Sequence, residues 1–455
     1  MVGWKRVLIS LFALVLVTAW LITPASAQRG GIQKPTEKDQ YHMVLVYRTG
    51  PFAPGGTGIP GGVMDYLTLV NMKGGVNGVM QWWEECDTEY KTDRGVECYE
   101  RLKKNPVGGP GITYVNPMST GVAYALIERG TRDRIPVFTL GYGRADASDG
   151  RVFPYVFPLM TNYWSQVSAK IRYIAQQVGG EEKLKGLKIA NLHLDHPYGR
   201  ETIHILDAMS KKFGFEVKHY PVAVPGIDQK SLWLDIARNY KPDYVINRNW
   251  GVSCTVPLKE AARLGYPRDR IIGVWWCGSE EDVLPAGRAA IGYVTTNFHG
   301  VGTDYPIVQE ILDKVYGTGQ GNLSPARVGQ IYWHRGLVFG MVVVEAMRTA
   351  QARYCPGGKG CALTGEQVAW GLENLNITPA RVKELGAEGI LPPFKSSCLD
   401  HEGGVGVLMQ QWDGSKWIRI SEWIAPYKDV VRAEVEKSAA TYAKEKGITP
   451  RACPS

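Results

Sequence analysis

The sequence predicts an α/β protein of two doubly wound parallel-sheet lobes joined by a hinge. Three observations predict it. Short apolar strand patterns alternate with helical patterns in two successive runs, the mark of parallel sheets covered by helices. Between the runs, residues 151–158 (RVFPYVFP) set two prolines in an extended stretch and read as a crossover. The chain has 455 residues, more than one hydrophobic core comfortably holds.

In order, 41–47 (YHMVLVY) reads as a strand and 51–62 as a Gly/Pro loop. Residues 63–72 read as a helix stopped by Gly74-Gly75, 79–85 as a strand, 94–104 as a helix, 112–115 as a short strand, 120–129 as a helix and 135–140 as a strand. After the crossover the rhythm restarts. Helices are expected over 162–178, 199–213, 229–239 and 256–264, and strands over 187–192, 215–224, 244–248, 270–276 and 291–296. From 305 the pattern turns helical, with 307–315 and a long helix over 328–350 that could return to the first lobe. Residues 405–412 and 416–420 form a hairpin around Asp413-Gly414, and a helix over 425–446 closes the chain. The expected division is 40–155 with about 300–375 for the first lobe, 156–299 with about 400–425 for the second, and a helical tail at 426–455.

Lys5 and Arg6 precede an apolar run broken only by Ser10 and Thr18, and Ala25-Ser26-Ala27 follows. That is a secretory signal peptide over 1–27. The run falls short of the ~20 residues of a spanning helix, and no Cys at the cleavage site offers a lipid anchor. The mature chain is expected to begin near Gln28 and to be periplasmic or otherwise extracytoplasmic. Basic residues are spread without a cluster, which argues against nucleic acid.

Export makes disulfides of the eight cysteines. The expected pairs are Cys86–Cys98 and Cys355–Cys361, which close short loops; Cys254–Cys277, just beyond neighbouring strands; and Cys398–Cys453, by elimination. With no C-x-x-C pair, a zinc site is not expected.

Gly56-Thr57-Gly58-Ile59-Pro60-Gly61 matches the dinucleotide pattern G-x-G-x-x-G, with Glu84 or Glu85 as the ribose acid. Against it, the glycines stand several residues past the strand, Pro60 removes a donor, and the compartment is poor in such cofactors. The plainer reading is a loop lining a ligand site. His193-Leu194-Asp195-His196 sets His193 and Asp195 on one strand face, but no third ligand is evident, so polar residues facing a cleft are preferred to a metal. G-x-S-x-G, H-E-x-x-H and Walker patterns are lacking. No cofactor, metal or catalytic residue is expected.

Open parallel sheets bind ligands beyond the carboxyl ends of their strands. Those ends carry Arg48-Thr49, Asn116 to Thr120, Gly141-Tyr142-Gly143-Arg144, His193 to Tyr198, Asn249-Trp250 and Trp275-Trp276. Tyr and Trp supply rigid apolar walls, Arg grips carboxylates, and Ser119-Thr120 opens a helix whose free N–H groups favour an anion. Together they suit a small acid with an apolar body.

These residues also carry a resemblance. The chain resembles the leucine/isoleucine/valine-binding type of periplasmic solute-binding protein, the receptors of branched-chain amino-acid ABC transporters. The matching stretches are Thr49-Gly50-Pro51 after the opening strand, Asn71-Met72-Lys73-Gly74-Gly75-Val76-Asn77-Gly78, Asn116 to Gly121, Ile135-Pro136-Val137 and Pro197-Tyr198-Gly199. The resemblance implies a Venus-flytrap, type 1 periplasmic binding fold, with the ligand between the lobes. It implies that Ser119 bonds a ligand carboxylate, that Gly141 and Gly143 present backbone groups to its head, that Tyr198 contacts it from the second lobe, and that Trp250 and Phe298 fall at the later ligand loops. It implies membrane permease subunits as partners, a monomer and no catalysis. One departure bears on specificity. Where amino-acid binders place an acid for the ammonium group, this chain has Val274-Trp275-Trp276-Cys277-Gly278, with Glu280 and Glu281 only later, and Arg144 adds positive charge. A buried ammonium lacking an acid is costly, so a carboxylic or aromatic acid is expected at least as much as an amino acid. The other readings are a ligand sensor on the same clamp and a secreted enzyme using the cleft.

Overall fold

A computed structural model describes residues 29–454; the expected signal segment, 1–27, lies outside them. The first sheet holds β1 (Arg29–Gly31), β2 (Gln40–Val46) and β3 (Gln81–Asp87) in the order β1-β3-β2, with β2 and β3 parallel. Val115 bridges in parallel to β4 (Val137–Phe138), which runs parallel to β5 (Val156–Phe157). β1, which pairs antiparallel with β3, has no alternating apolar pattern to reveal it. A side chain at Gly30 would meet the Trp83 indole at 2.3 Å, so the strand runs close over that ring.

The second sheet begins with five parallel strands: β6 (Lys188–Leu194), β7 (Glu216–Val222), β8 (Tyr244–Arg248), β9 (Ile271–Gly273) and β10 (Val294–Asn297). After a short ribbon of β11 (Asn376–Ile377) and β12 (Phe394–Lys395), the hairpin around Asp413-Gly414 forms as β13 (Leu408–Trp412) and β14 (Trp417–Arg419). It adds antiparallel to β10, giving the order β14-β13-β10-β9-β8-β6-β7. β8, β9 and β10 are buried throughout, as strands covered on both faces must be.

Three expectations of local structure fail, the first being the strand over 112–115, of which only the Val115 bridge forms. Residues 51–62 are not a loop: one helix spans Ala53–Met72, so the G-x-G-x-x-G stretch lies inside it. Its glycines permit close packing. A side chain at Gly62 would strike the Trp333 carbonyl at 2.1 Å, and one at Gly336 the Ile59 carbonyl at 2.0 Å. The long helix Ile331–Tyr354 thereby lies directly against the first-lobe helix. The strand expected over 270–276 stops at Gly273, because Trp275–Cys277 turns in a 3-10 helix closed by the Cys277 N–H on the Val274 carbonyl.

The four disulfides are Cys86–Cys98, Cys254–Cys277, Cys355–Cys361 and Cys398–Cys453, the expected pairs, including the one reached by elimination. The last helix, Lys428–Lys446, touches both sides of the molecule. Asp429 and Glu434 pair with Lys212 and His204, while Ser438 bonds Asp146 and Lys446 pairs with Glu128. No helix among the described residues is long and apolar enough to cross a membrane.

Candidate functional site

The carboxyl ends of the parallel strands from both sheets converge on one aromatic cluster. Trp250, directly after β8, is at its centre and 2% exposed. From its own lobe Trp276 meets it at 4.2 Å between centroids. From the other side come Phe52 at 6.0 Å, stacked, Tyr90 at 6.3 Å and Tyr47 at 6.5 Å, with Tyr332 of the long helix at 5.9 Å. A side chain at Gly55 would strike the Trp250 ring at 2.3 Å, so the Ala53–Met72 helix must be bare there. The Cys254–Cys277 disulfide ties the segment after Trp250 to the turn that carries Trp275 and Trp276.

Tyr163, the first residue of the helix Tyr163–Val178, accepts a 2.6 Å hydrogen bond from Trp276 Nε1 and interacts with Thr120. The Tyr198 ring stands 5.6 Å from Tyr163, and its hydroxyl donates to the Asn249 carbonyl. Ser119, at the start of the helix Thr120–Asp133, is 3% exposed, and its hydroxyl has no hydrogen bond of normal length, although the Tyr90 hydroxyl interacts with it. Tyr142 bonds Asn116 and the Met118 N–H, fixing the loop before Ser119, and packs edge-on against Trp276.

Gly141 and Gly143 flank Tyr142 with φ of +74° and +92°, backbone that side chains resist. This turn aims the Gly141 carbonyl at Trp275 Nε1, 2.9 Å away, and brings Phe298 against the glycine's bare face. Arg335 then lies over Trp275 at 3.3 Å and over Phe298 at 4.2 Å. Gly141, Trp275 and Phe298 thus form a joint between the lobes beside the cluster.

Of the residues expected at the site, Ser119, Thr120, Tyr142, Tyr198 and Trp250 come together, with Gly141, Gly143, Trp275 and Phe298 adjoining. Two do not. Arg48 is exposed and ion-paired with Glu85. Arg144 is gripped by Asp146 through Nε and Nη2 and lies 4.2 Å over the Tyr442 ring. Its charge already has a partner, so it does not serve as the free cation expected at the ligand head. The later acids are also committed: Glu280 accepts the Ile331 N–H, Glu281 pairs with Arg327, and Asp282 caps its own turn through Ser279. Burial raises Asp282 well above the usual carboxylate range. His193, Asp195 and His196 do not converge. Asp195 pairs with Arg200, and His196 lies against Tyr90. Among the described residues one group of possible metal ligands gathers, Cys86, Glu97 and Cys98, and its cysteines are joined in a disulfide.

The periplasmic binding protein family model matches residues 44–417. The chain belongs to the periplasmic binding protein family. This binding protein shares 45% identity with a protein described as an ABC transporter permease from the Pseudomonas fluorescens group, over 92% of this chain and all of that one, with a TM-score of 0.85. Two more distant structures share the fold. A branched-chain amino-acid ABC transporter protein of Thermus thermophilus with bound valine is 20% identical over 87% of this chain and 99% of that one, TM-score 0.70. A solute-binding protein of R. palustris in complex with benzoate is 18% identical over 85% and 97%, TM-score 0.61. No curated protein matches the sequence.

Strand ends alone did not single out Phe52, Tyr90, Tyr163 or Tyr332 of this binding protein. Phe52 and Tyr332 belong to helices or their first turns, and Tyr163 opens a helix. Tyr90 follows β3 closely enough that the same strand-end rule could have found it.

Proposed function

We propose that this protein is the extracytoplasmic receptor of an ABC importer, capturing a small amino acid or a related carboxylic or aromatic acid between its lobes and handing it to a membrane permease, without chemistry. The observation that carries the reading is the cluster around Trp250, to which both lobes contribute rings beside the buried Ser119 hydroxyl. A clamp whose binding surface is split between lobes gains full contact only when closed, so ligand shifts the population to the closed form. That form is what a permease can distinguish. The lobe division expected from the sequence describes this motion, with the protein acting as a periplasmic monomer.

Trp250, Trp276, Tyr90 and Phe52 would hold the apolar body, and Ser119 would hydrogen-bond a polar atom of the ligand at the edge of the cluster. Valine and benzoate, bound by two proteins of the same fold, are both small carboxylates. The committed acids after Trp276 favour the acid lacking an ammonium group. A thermal-shift panel of branched-chain and aromatic amino acids, their deaminated acids and amides tests this, because a ligand of the native state raises the melting temperature. Stabilisation by acids supports the reading. Stabilisation by amino acids alone keeps the receptor and removes the preference; no stabilisation by any member sinks the ligand class.

A further inference from the structure

Arg248 ends β8, next to Trp250, and is 0% exposed. Its guanidinium carbon lies 4.3 Å from the Tyr163 ring centre and 4.8 Å from that of Tyr198. Nη2 donates to the Tyr198 carbonyl at 2.8 Å, while Nε and Nη1 have no partner. Lys170, about two turns after Tyr163 on the same helix, is also 0% exposed, and its Nζ has no partner. Burial first, then the Arg248 charge, pulls Lys170 well below the usual lysine range, so its amine holds a proton less readily than an ordinary lysine until an anion arrives.

Several other arginines among the described residues are met by acids. Arg381 is bidentate to Glu345, Arg151 to Asp149 and Arg144 to Asp146. Arg335 keeps one free nitrogen, but its other two bond His299 and Asn297, which suits a fixture of the joint. A buried guanidinium with open donors is costly unless something negative completes it; Glu201 senses the Arg248 charge but gives its carboxyl to the Ala145 N–H and forms no ion pair with it.

Tyr163 links this pair to the aromatic cluster. Its ring lies against Arg248, while its hydroxyl meets Trp276 Nε1 and Thr120. Resting on the receptor reading above, we propose that Arg248, backed by Lys170, is the anion seat of the ligand site, so that the ligand is an organic carboxylate whose negative group reaches behind Tyr163 and Tyr198 while its apolar part stays among the aromatic rings. The seat belongs to the second lobe and is separate from Ser119 and Arg144. It offers charged N–H donors, the strongest hydrogen-bonding partners for a carboxylate.

The test uses the full mature protein, with benzoate, 4-methylpentanoate and their neutral amides as probes in calorimetric titration. Wild type is expected to bind at least one acid and to bind its amide at least about tenfold more weakly. Arg248→Met is expected to lose the acid-over-amide preference while melting, ligand-free, at or above the wild-type temperature, since an unpaired buried charge has been removed. Arg248→Lys should retain part of the preference. Lys170→Met provides a second variant should Arg248→Met not fold, and it should weaken acid binding several-fold with little effect on the amide. Equal acid affinity in wild type and Arg248→Met, or in wild type and Lys170→Met if only that variant folds, overturns the anion seat and leaves the receptor standing. Amides bound as tightly as acids by wild type overturn it too. Loss of all binding to wild type, acids and amides alike, overturns both.

Discussion

The indole of Trp250 lies parallel to the ring of Phe52, 6.0 Å away with 8° between their planes, although one follows a strand of the second sheet and the other a strand of the first. The pair is a latch across the cleft. Trp250→Ala removes the second-lobe half of the latch and the ring on which the other aromatics converge. The variant is expected to lose ligand-induced thermal stabilisation and to show a larger radius of gyration without ligand by small-angle scattering. A wild-type ligand response in this protein would exclude the cluster as the binding surface.

Arg144→Ala separates the two arginine roles considered from the sequence. The substitution removes two hydrogen bonds to Asp146 and the packing on Tyr442. It should lower stability by about 1–2 kcal/mol, as for a partly buried ion pair, and leave ligand affinity unchanged. Titration calorimetry beside a melting curve distinguishes this from a direct contact, which would weaken binding at unaltered stability.

Gly336 and Gly340 lie one turn apart on the long helix and predict a graded pair. A methyl group at Gly336 meets the Ile59 carbonyl oxygen at 2.0 Å, rigid backbone that cannot give way. At Gly340 the nearest atom is on the Tyr66 ring at 3.0 Å, and a side chain can shift. Gly336→Ala should cost about 1–3 kcal/mol or more, and Gly340→Ala clearly less. Similar unfolding midpoints in denaturant for the two would contradict the close helix contact.

Glu402 governs part of the pH dependence. Burial first, and the nearby Asp400 charge second, raise its carboxyl to about 8. The folded state therefore keeps a proton that the unfolded chain releases at about 4.3. Its contribution is fully present below the unfolded value and is lost as pH rises through the folded one. Between about pH 5 and about pH 8 the wild-type melting temperature should fall, and Glu402→Gln should flatten that slope. An identical slope in both proteins would place the proton elsewhere.

The disulfides give an ordered prediction. Cys398–Cys453 spans 55 positions and Cys355–Cys361 only 6. Because the cross-link acts mainly on the unfolded chain and more strongly for longer loops, the Cys398→Ser/Cys453→Ser double variant should lose more thermal stability than Cys355→Ser/Cys361→Ser.

Strand-end logic reached much of the aromatic cluster because side chains there follow from topology: once the parallel order is read, Ser119, Tyr198 and Trp250 lie at the carboxyl ends of the strands. The helix Ala53–Met72 was hidden for a physical reason. Its Gly- and Pro-rich start has a loop's composition, and the long-range neighbours that make glycine necessary, Tyr47, Trp250 and Trp333, have no local signature. The two misplaced arginines fail for a related cause, since their partners Glu85 and Asp146 decide where the charge goes and a pairing is not a pattern. Arg248 shows the converse. Its place at a strand end is readable, but that two of its nitrogens are left without a hydrogen-bond partner is visible only in three dimensions.

The helix Lys428–Lys446 has a mechanical consequence. It lies over the short turn Ala145–Ser148, just past the Gly141 joint, and is fastened to both halves by Glu434 with His204 on one side and Lys446 with Glu128 on the other. It joins the two halves along one edge as a spine joins pages, so opening would separate them chiefly at the opposite edge. Any opening that admits a solute would then be widest at that far edge.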